Sequence, residues 1–217
     1  MPCGVSAVRS DSASRGCAAP PRSRVRVNVL GAFEVVSPDG TPARWTSRKA
    51  RELLKILVSR RGVPLTRETL MDMLWPGEDP AVLGNRLSVA LSTVRRALDP
   101  ERRLDPDQLV TTASDSVRLR LDVVEVDVER FLADATAVLD AHRHGEPPDV
   151  DALDALVRSH RGEALPDEPH AEWAAAMRDE VRTCYIALAR LLAAEADLAG
   201  DHLRAAGALV SKQNCDR

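Results

Sequence analysis

Five side chains at helical spacing, Asn85, Val89, Ser92, Thr93 and Arg96, share one face of the segment Pro80 to Leu98, and each can engage the edge of a nucleic-acid base. An asparagine amide offers a donor beside an acceptor, an arginine fork suits two acceptors on one purine, and hydroxyls serve either role. Val89 cannot hydrogen-bond, but it suits the methyl group of a thymine in a major groove. At about 100° per residue, Leu87, Leu91, Val94 and Leu98 fall on the opposite side, the stripe with which a helix docks on a core. Asp79 and Pro80 supply an N-cap and a first-turn proline. Arg86 and Arg95 stand beside the face and are expected at the DNA backbone or a base edge. The same pattern also fits an ordinary amphipathic surface helix, so the flanking elements decide between the two.

From Arg24, Val25, Val27 and Val29 alternate with polar residues as a half-buried strand, and a second strand from Phe33 to Val36 leads into the turn Ser37-Pro38-Asp39-Gly40. Ser47 to Arg60 reads as a helix with Ala50, Leu53, Leu54, Leu57 and Val58 inward, Arg48, Lys49, Arg51 and Lys55 largely outward, and Gly62 as its stop. The next helix begins at Thr66 and ends in Leu74-Trp75-Pro76-Gly77. After the helix Pro80 to Leu98, Leu109 to Thr112 and Ser116 to Leu121 form a hairpin around Ala113-Ser114-Asp115. Strands, three helices and a basic hairpin amount to a winged helix, with the second and third helices as the helix-turn-helix. Helix N-termini at Ser47 and Thr66 could hold phosphates with help from Arg48 and Lys49, and Arg118 on the hairpin would reach the adjacent backbone or minor groove.

The rest reads as helical: Val128 to Ala141, Asp149 to His160, Pro169 to Leu198, then a short helix from Asp201. Ala174, Ala175, Ala187, Ala189 and Ala193 would let neighbouring helices approach closely. The expected fold is therefore an α+β winged helix-turn-helix domain over 24–122 followed by an all-α, helical-repeat-like domain over 123–217, with 1–23 as a disordered leader. Charge divides in the same way. Residues 1–120 carry 20 Lys and Arg against 13 Asp and Glu, whereas residues 121–200 carry 7 against 18, so the front attracts a polyanion and the back repels one.

Other chemistries find little support. Cys3, Cys17, Cys184 and Cys215 are widely spaced and form no C-x-x-C pair, so neither disulfides nor a metal site is expected. His142 and His144 sit beside Gly145 and two prolines in an expected loop, and His160, His170 and His202 have no nucleophile or carboxylate at motif spacing, so all five read as solvated loop or helix histidines and no enzyme and no cofactor is expected. Trp45, Trp75 and Trp173 read as core or helix-end packing. No run has the length of a membrane span and no secretory signal is recognisable, which places the chain in the cytoplasm and away from membranes. A protein-only adaptor, its basic front serving an acidic partner, stays open beside DNA binding; it predicts binding without the salt dependence of counterion release.

Joined in order, VRVNVLGAFEV, SRKARELLKILVSRRGVPLTRETLMDMLWP, NRLSVALSTVRRALDP, LVTTASDSVRLRL and EVDVERFLADA resemble the SARP family, the Streptomyces antibiotic regulatory protein type of transcriptional activator. The segment RGEALPDEPHAEWAAAMRDEVRTCYIALARLLAAEADLAGD looks like that family's bacterial transcriptional activation domain, whose fold is similar to tetratricopeptide (TPR) repeats. The resemblance implies an OmpR-type winged helix that binds promoter direct repeats in double-stranded DNA and a helical module that engages RNA polymerase holoenzyme or supports a homodimer on DNA. Ser88, Ala90 and Thr93 stand where family members commonly carry bulkier polar residues. The family continues through further helix pairs beyond Leu209-Val210, so the activation domain is expected to be truncated and its last helix to be a dimer contact or unstable.

Overall fold

The computed structural model describes residues 24–201. The expected leader, the short helix from Asp201 onward, His202 and three of the four cysteines lie outside them.

Val25 and Val27 point inward from strand β1 (Val25–Asn28), which pairs antiparallel with β2 (Glu34–Val36) at Val27↔Val35. Gly31 makes the turn between them with φ +81, and a Cβ there would stand 3.2 Å from the Arg161 carbonyl oxygen. Helix α1 (Arg48–Ser59) starts at Ser47, whose Oγ accepts the Ala50 N–H at 3.2 Å. A two-residue strand β3 (Leu65–Thr66) precedes α2 (Arg67–Leu74), capped by Thr66, and α3 (Pro80–Leu98) starts at Asp79, whose carboxylate accepts the Ala81 N–H at 2.9 Å. The wing follows: a short turn of helix α4 (Pro106–Leu109), then β4 (Val110–Ala113) and β5 (Ser116–Leu119), in a sheet of order β3-β5-β4. β5 stops at Leu119, two residues short of expectation, because Arg120 turns to pair with Asp122 and its carbonyl takes the Val124 N–H.

The chain then returns to its starting sheet. Strand β6 (Val124–Val126) lies parallel to β1, giving the order β2-β1-β6 with Val25, Val27, Val35, Val124 and Val126 on the buried side. No strand was expected here, and it falls just past the division at 122–123. Asp127 closes the junction: its carboxylate accepts the N–H groups of Val29, Leu30 and Val128 at 2.8, 3.0 and 2.8 Å, while burial raises its pKa.

Helices α5 (Asp127–Arg143), α6 (Val150–Ser159) and α7 (Ala175–Leu198) pack on one another through Phe131, Leu132, Leu153, Val157, Val181, Tyr185 and Leu188. α5 runs further than expected, so His142 lies in its last turn and His144 caps it. Acidic residues in the first turn and His142 and Arg143 in the last suit the helix dipole, and the break is left to Gly145 and the two prolines after it. α7 begins at Ala175, after a 3-10 turn (Glu172–Ala174), and not at Pro169. The preceding strap is irregular because Arg178 gathers its carbonyls, taking Ala164 O at 3.1 Å together with Glu168 O and others.

Two further expectations are corrected inside the core. Lys55 does not face water: only 2% of it is exposed, with Nζ 2.6 Å from Asp167 Oδ2 and 2.8 Å from Glu168 Oε1. The strap covers this side of α1, and α1 is consequently buried from Leu53 to Val58 without a break. His160 is no solvated histidine either. Its ring stacks on Tyr185 at 4.2 Å and tilts against Phe131 at 5.4 Å, and burial lowers its pKa.

Candidate nucleic-acid interface

The buried stripe of α3 comprises Leu83, Leu87, Ala90, Leu91, Val94, Ala97 and Leu98, and it packs on α1 and α2. Asn85, Arg86, Val89, Ser92 and Arg96 are exposed on the other side, and Thr93 is half-buried at its margin. Ala90 is 4% exposed, so it belongs to the core and presents nothing outward. Val82, which the sequence reading passed over, is 54% exposed on the same arc as Val89 at 59%. Its seven-residue spacing from Val89 was the available signal.

The hydroxyls on this arc are partly engaged within the helix. Thr93 Oγ1 donates to Val89 O and Ser88 Oγ to Gly84 O, both at 2.9 Å. Arg67, at the start of α2, donates to Ser88 Oγ at 3.1 Å and holds the two helices of the helix-turn-helix in register. No sequence feature singled out Arg67.

The basic residues divide into open and tied groups. Arg48 at the first position of α1, Arg96 on α3 and Arg118 on the wing are exposed, and their side chains make no hydrogen bond or ion pair among the described residues. Lys49 instead donates to Glu52 Oε2 at 3.0 Å and to the last carbonyl of α2, Leu74 O, at 2.5 Å. Arg86 pairs with Glu78 in the α2–α3 connection. Arg95 Nη2 donates to Asp107 Oδ1, Val110 O and Thr112 Oγ1 at 2.7, 2.8 and 2.9 Å, fastening the last turns of α3 to the wing. Thr66 caps α2 by accepting the Thr69 N–H at 3.1 Å, and the Arg67 N–H goes to Asp115 O in the wing turn at 2.8 Å. Thus Arg48, Arg96 and Arg118 offer free guanidinium groups, whereas Lys49, Arg86 and Arg95 hold elements together.

Residues 42–115, which span this helix-turn-helix and most of the wing, match the family model described as "Transcriptional regulatory protein, C terminal". The "Transcriptional regulatory protein EmbR" of Mycobacterium bovis and that of Mycobacterium tuberculosis are each 28% identical to the chain over 145 residues. The chain is thus similar to transcriptional regulators of this kind. The match covers 66% of this chain and 37% of the length of these relatives. A solved structure, "Mycobacterium tuberculosis EmbR in complex with low affinity phosphopeptide", shares the fold at a TM-score of 0.65 and 23% identity, over 88% of this chain and 54% of that one. The winged helix followed by a helical region is the fold that the two chains share. Among the described residues, no helix is long and apolar enough to cross a membrane, and no group of His, Cys, Asp and Glu could hold a metal ion.

Proposed function

We propose that this chain is a SARP-type regulator, a sequence-specific, DNA-binding transcriptional activator that works in the cytoplasm on promoter direct repeats. The observation that carries the reading is the outward arc of α3, where Asn85, Ser92 and Arg96 stand free on a helix seated by its opposite stripe. Asn85, Val89, Ser92, Thr93 and Arg96 read bases; Arg48 and Arg118 hold the backbone on either side, joined by the helix N-terminus at Thr66. The helical region that follows β6 serves as a TPR-like activation domain that engages RNA polymerase holoenzyme or a second copy on DNA.

Selection of bound sequences from a random duplex pool, repeated at two salt concentrations, tests the reading. An enriched direct repeat with affinity falling steeply in salt is expected. Binding without enrichment, or indifferent to salt, would instead favour a protein-interaction adaptor with a degenerate DNA-binding module. The internal pairing of Lys49, Arg86 and Arg95, which lowers the free positive charge of this face, is the observation on that side.

A further inference from the structure

The outward arc of α3 carries two apolar side chains with nothing packed over them. Val82 and Val89 lie two turns apart, more than half exposed, on the side that bears Asn85, Ser92 and Arg96. Neither side chain can hydrogen-bond, and with the Ser88 and Thr93 hydroxyls donating to helix carbonyls, Asn85, Ser92 and Arg96 are the polar side chains on this arc without an internal hydrogen bond among the described residues. The apolar feature that a major groove displays is the C5 methyl of thymine. A rise of about 1.5 Å per residue sets the two valines about 10.5 Å apart, close to three base steps of about 3.4 Å. Asn85 stands between them, one turn from each, and an asparagine amide pairs with adenine through its N6 and N7 edge. The last turns of α3 are tied to the wing through Arg95, so the free Arg118 at the wing sets the far end of the helix relative to the duplex.

We infer that α3 reads a short A·T-containing element in which Val82 and Val89 each cover a thymine methyl, about three base steps apart, with Asn85 on an adenine between them. The inference rests on the DNA-binding reading above and adds the base composition and spacing that the helix selects. Flanking positive charge from Arg96 and Arg118 makes duplex DNA the occupant of this valine pair, in preference to an apolar protein surface.

Replacing each thymine of the selected operator singly by deoxyuridine removes its methyl and keeps the base pair. Affinities are measured by fluorescence anisotropy for the full chain and for Val82→Ala and Val89→Ala, both at exposed positions where circular dichroism should match the parent. For the parent chain, two thymines are expected at which deoxyuridine weakens binding about fourfold, the worth of one buried methyl. Val82→Ala should be indifferent to one of these replacements and Val89→Ala to the other. Selective, salt-dependent binding that tolerates deoxyuridine at every thymine would overturn the methyl assignment and leave the DNA-binding reading standing. Absence of any sequence selection would overturn both.

Discussion

The Lys55 ammonium on α1 lies 2.6 Å from the carboxylate of Asp167, a residue 112 positions further along the chain, in the strap before α7. Glu168 takes a second hydrogen bond from it, and Arg51 reaches the same Asp167 at 3.2 Å. Two residues beyond the end of α1, Arg61 bridges Glu129 of α5 at 2.6 Å and Glu180 of α7 at 2.5 Å, and the Glu129 hydrogen bond raises its pKa. The winged helix and the helical region are therefore joined by cations from the front and carboxylates from the back. The overall charge division of the chain is in part this interface seen from a distance.

Removing the carboxylates and removing the lysine should have unequal consequences. Asp167→Asn with Glu168→Gln leaves a buried charge without its partners and is expected to cost about 3 kcal/mol or more, as when a buried pair is broken from one side. Lys55→Met keeps the volume of the stem and leaves two carboxylates that solvent can reach, so a loss of about 1 kcal/mol or less is expected. Urea denaturation of both variants checks the order. Equally small losses would mean that the stem, whose volume both variants keep, and not the charge, holds the strap.

The open and the tied basic residues should separate in binding experiments. Arg96→Ala is expected to lower specific binding by about 1–3 kcal/mol and relax discrimination at one position of the site. Arg48→Ala and Arg118→Ala should weaken all sequences alike and reduce the slope of log affinity against log salt by about one each. Lys49→Ala should act mainly on stability, through its bond to Leu74 O, by about 1 kcal/mol. Titrations of specific and scrambled duplexes at several salt concentrations, beside thermal melts, distinguish the three behaviours.

Arg95 carries a different expectation from Arg96, its neighbour. With three acceptors on one nitrogen, Arg95→Ala releases α3 from β4 and the turn before it, at a cost of about 1.5–3 kcal/mol. Hydrogen exchange should then quicken at the amides of β4 while those of β1 stay protected. Unchanged protection in β4 would show that the hairpin holds its place without this residue.

Acid should loosen the helical region through His160. Burial depresses its pKa below the ordinary histidine value of 6.5, so the unfolded chain binds more protons than the folded one in the window from that value downward. The stability contribution is complete above about pH 6.5 and is lost as pH falls toward the depressed folded pKa. His160→Phe keeps an aromatic ring between Phe131 and Tyr185 and removes the titration. Melting temperatures at pH 7.5 and 5.5 should diverge for the parent chain more than for this variant, and parallel changes would assign the acid sensitivity elsewhere.

What could be read in the sequence was local. The Asp79 cap, Pro80 and the leucine stripe set the bounds and the outward face of α3 from residues within a few turns of one another. Lys55 sits in Leu53-Leu54-Lys55-Ile56-Leu57-Val58, a run too apolar for a surface helix, yet its carboxylates arrive only from the distant strap. β6 is three residues long and pairs parallel with β1, so neither its length nor a hairpin turn announces it. On the candidate interface, residue types and helical angles were legible, but the pairing of Arg86 with Glu78 and of Arg95 with Thr112 depends on how connecting loops fold back.

The place of β6 beside β1 decides what can be cut out of this protein and carried elsewhere. A fragment ended at residue 122 would lose a flanking strand and the Asp127 carboxylate, and the freed edge of β1 would be open to pairing with another chain. The smallest portable winged-helix fragment of this chain therefore reaches through Asp127 into the first turn of α5, and fusions grafted at that seam carry a piece of the helical region with them.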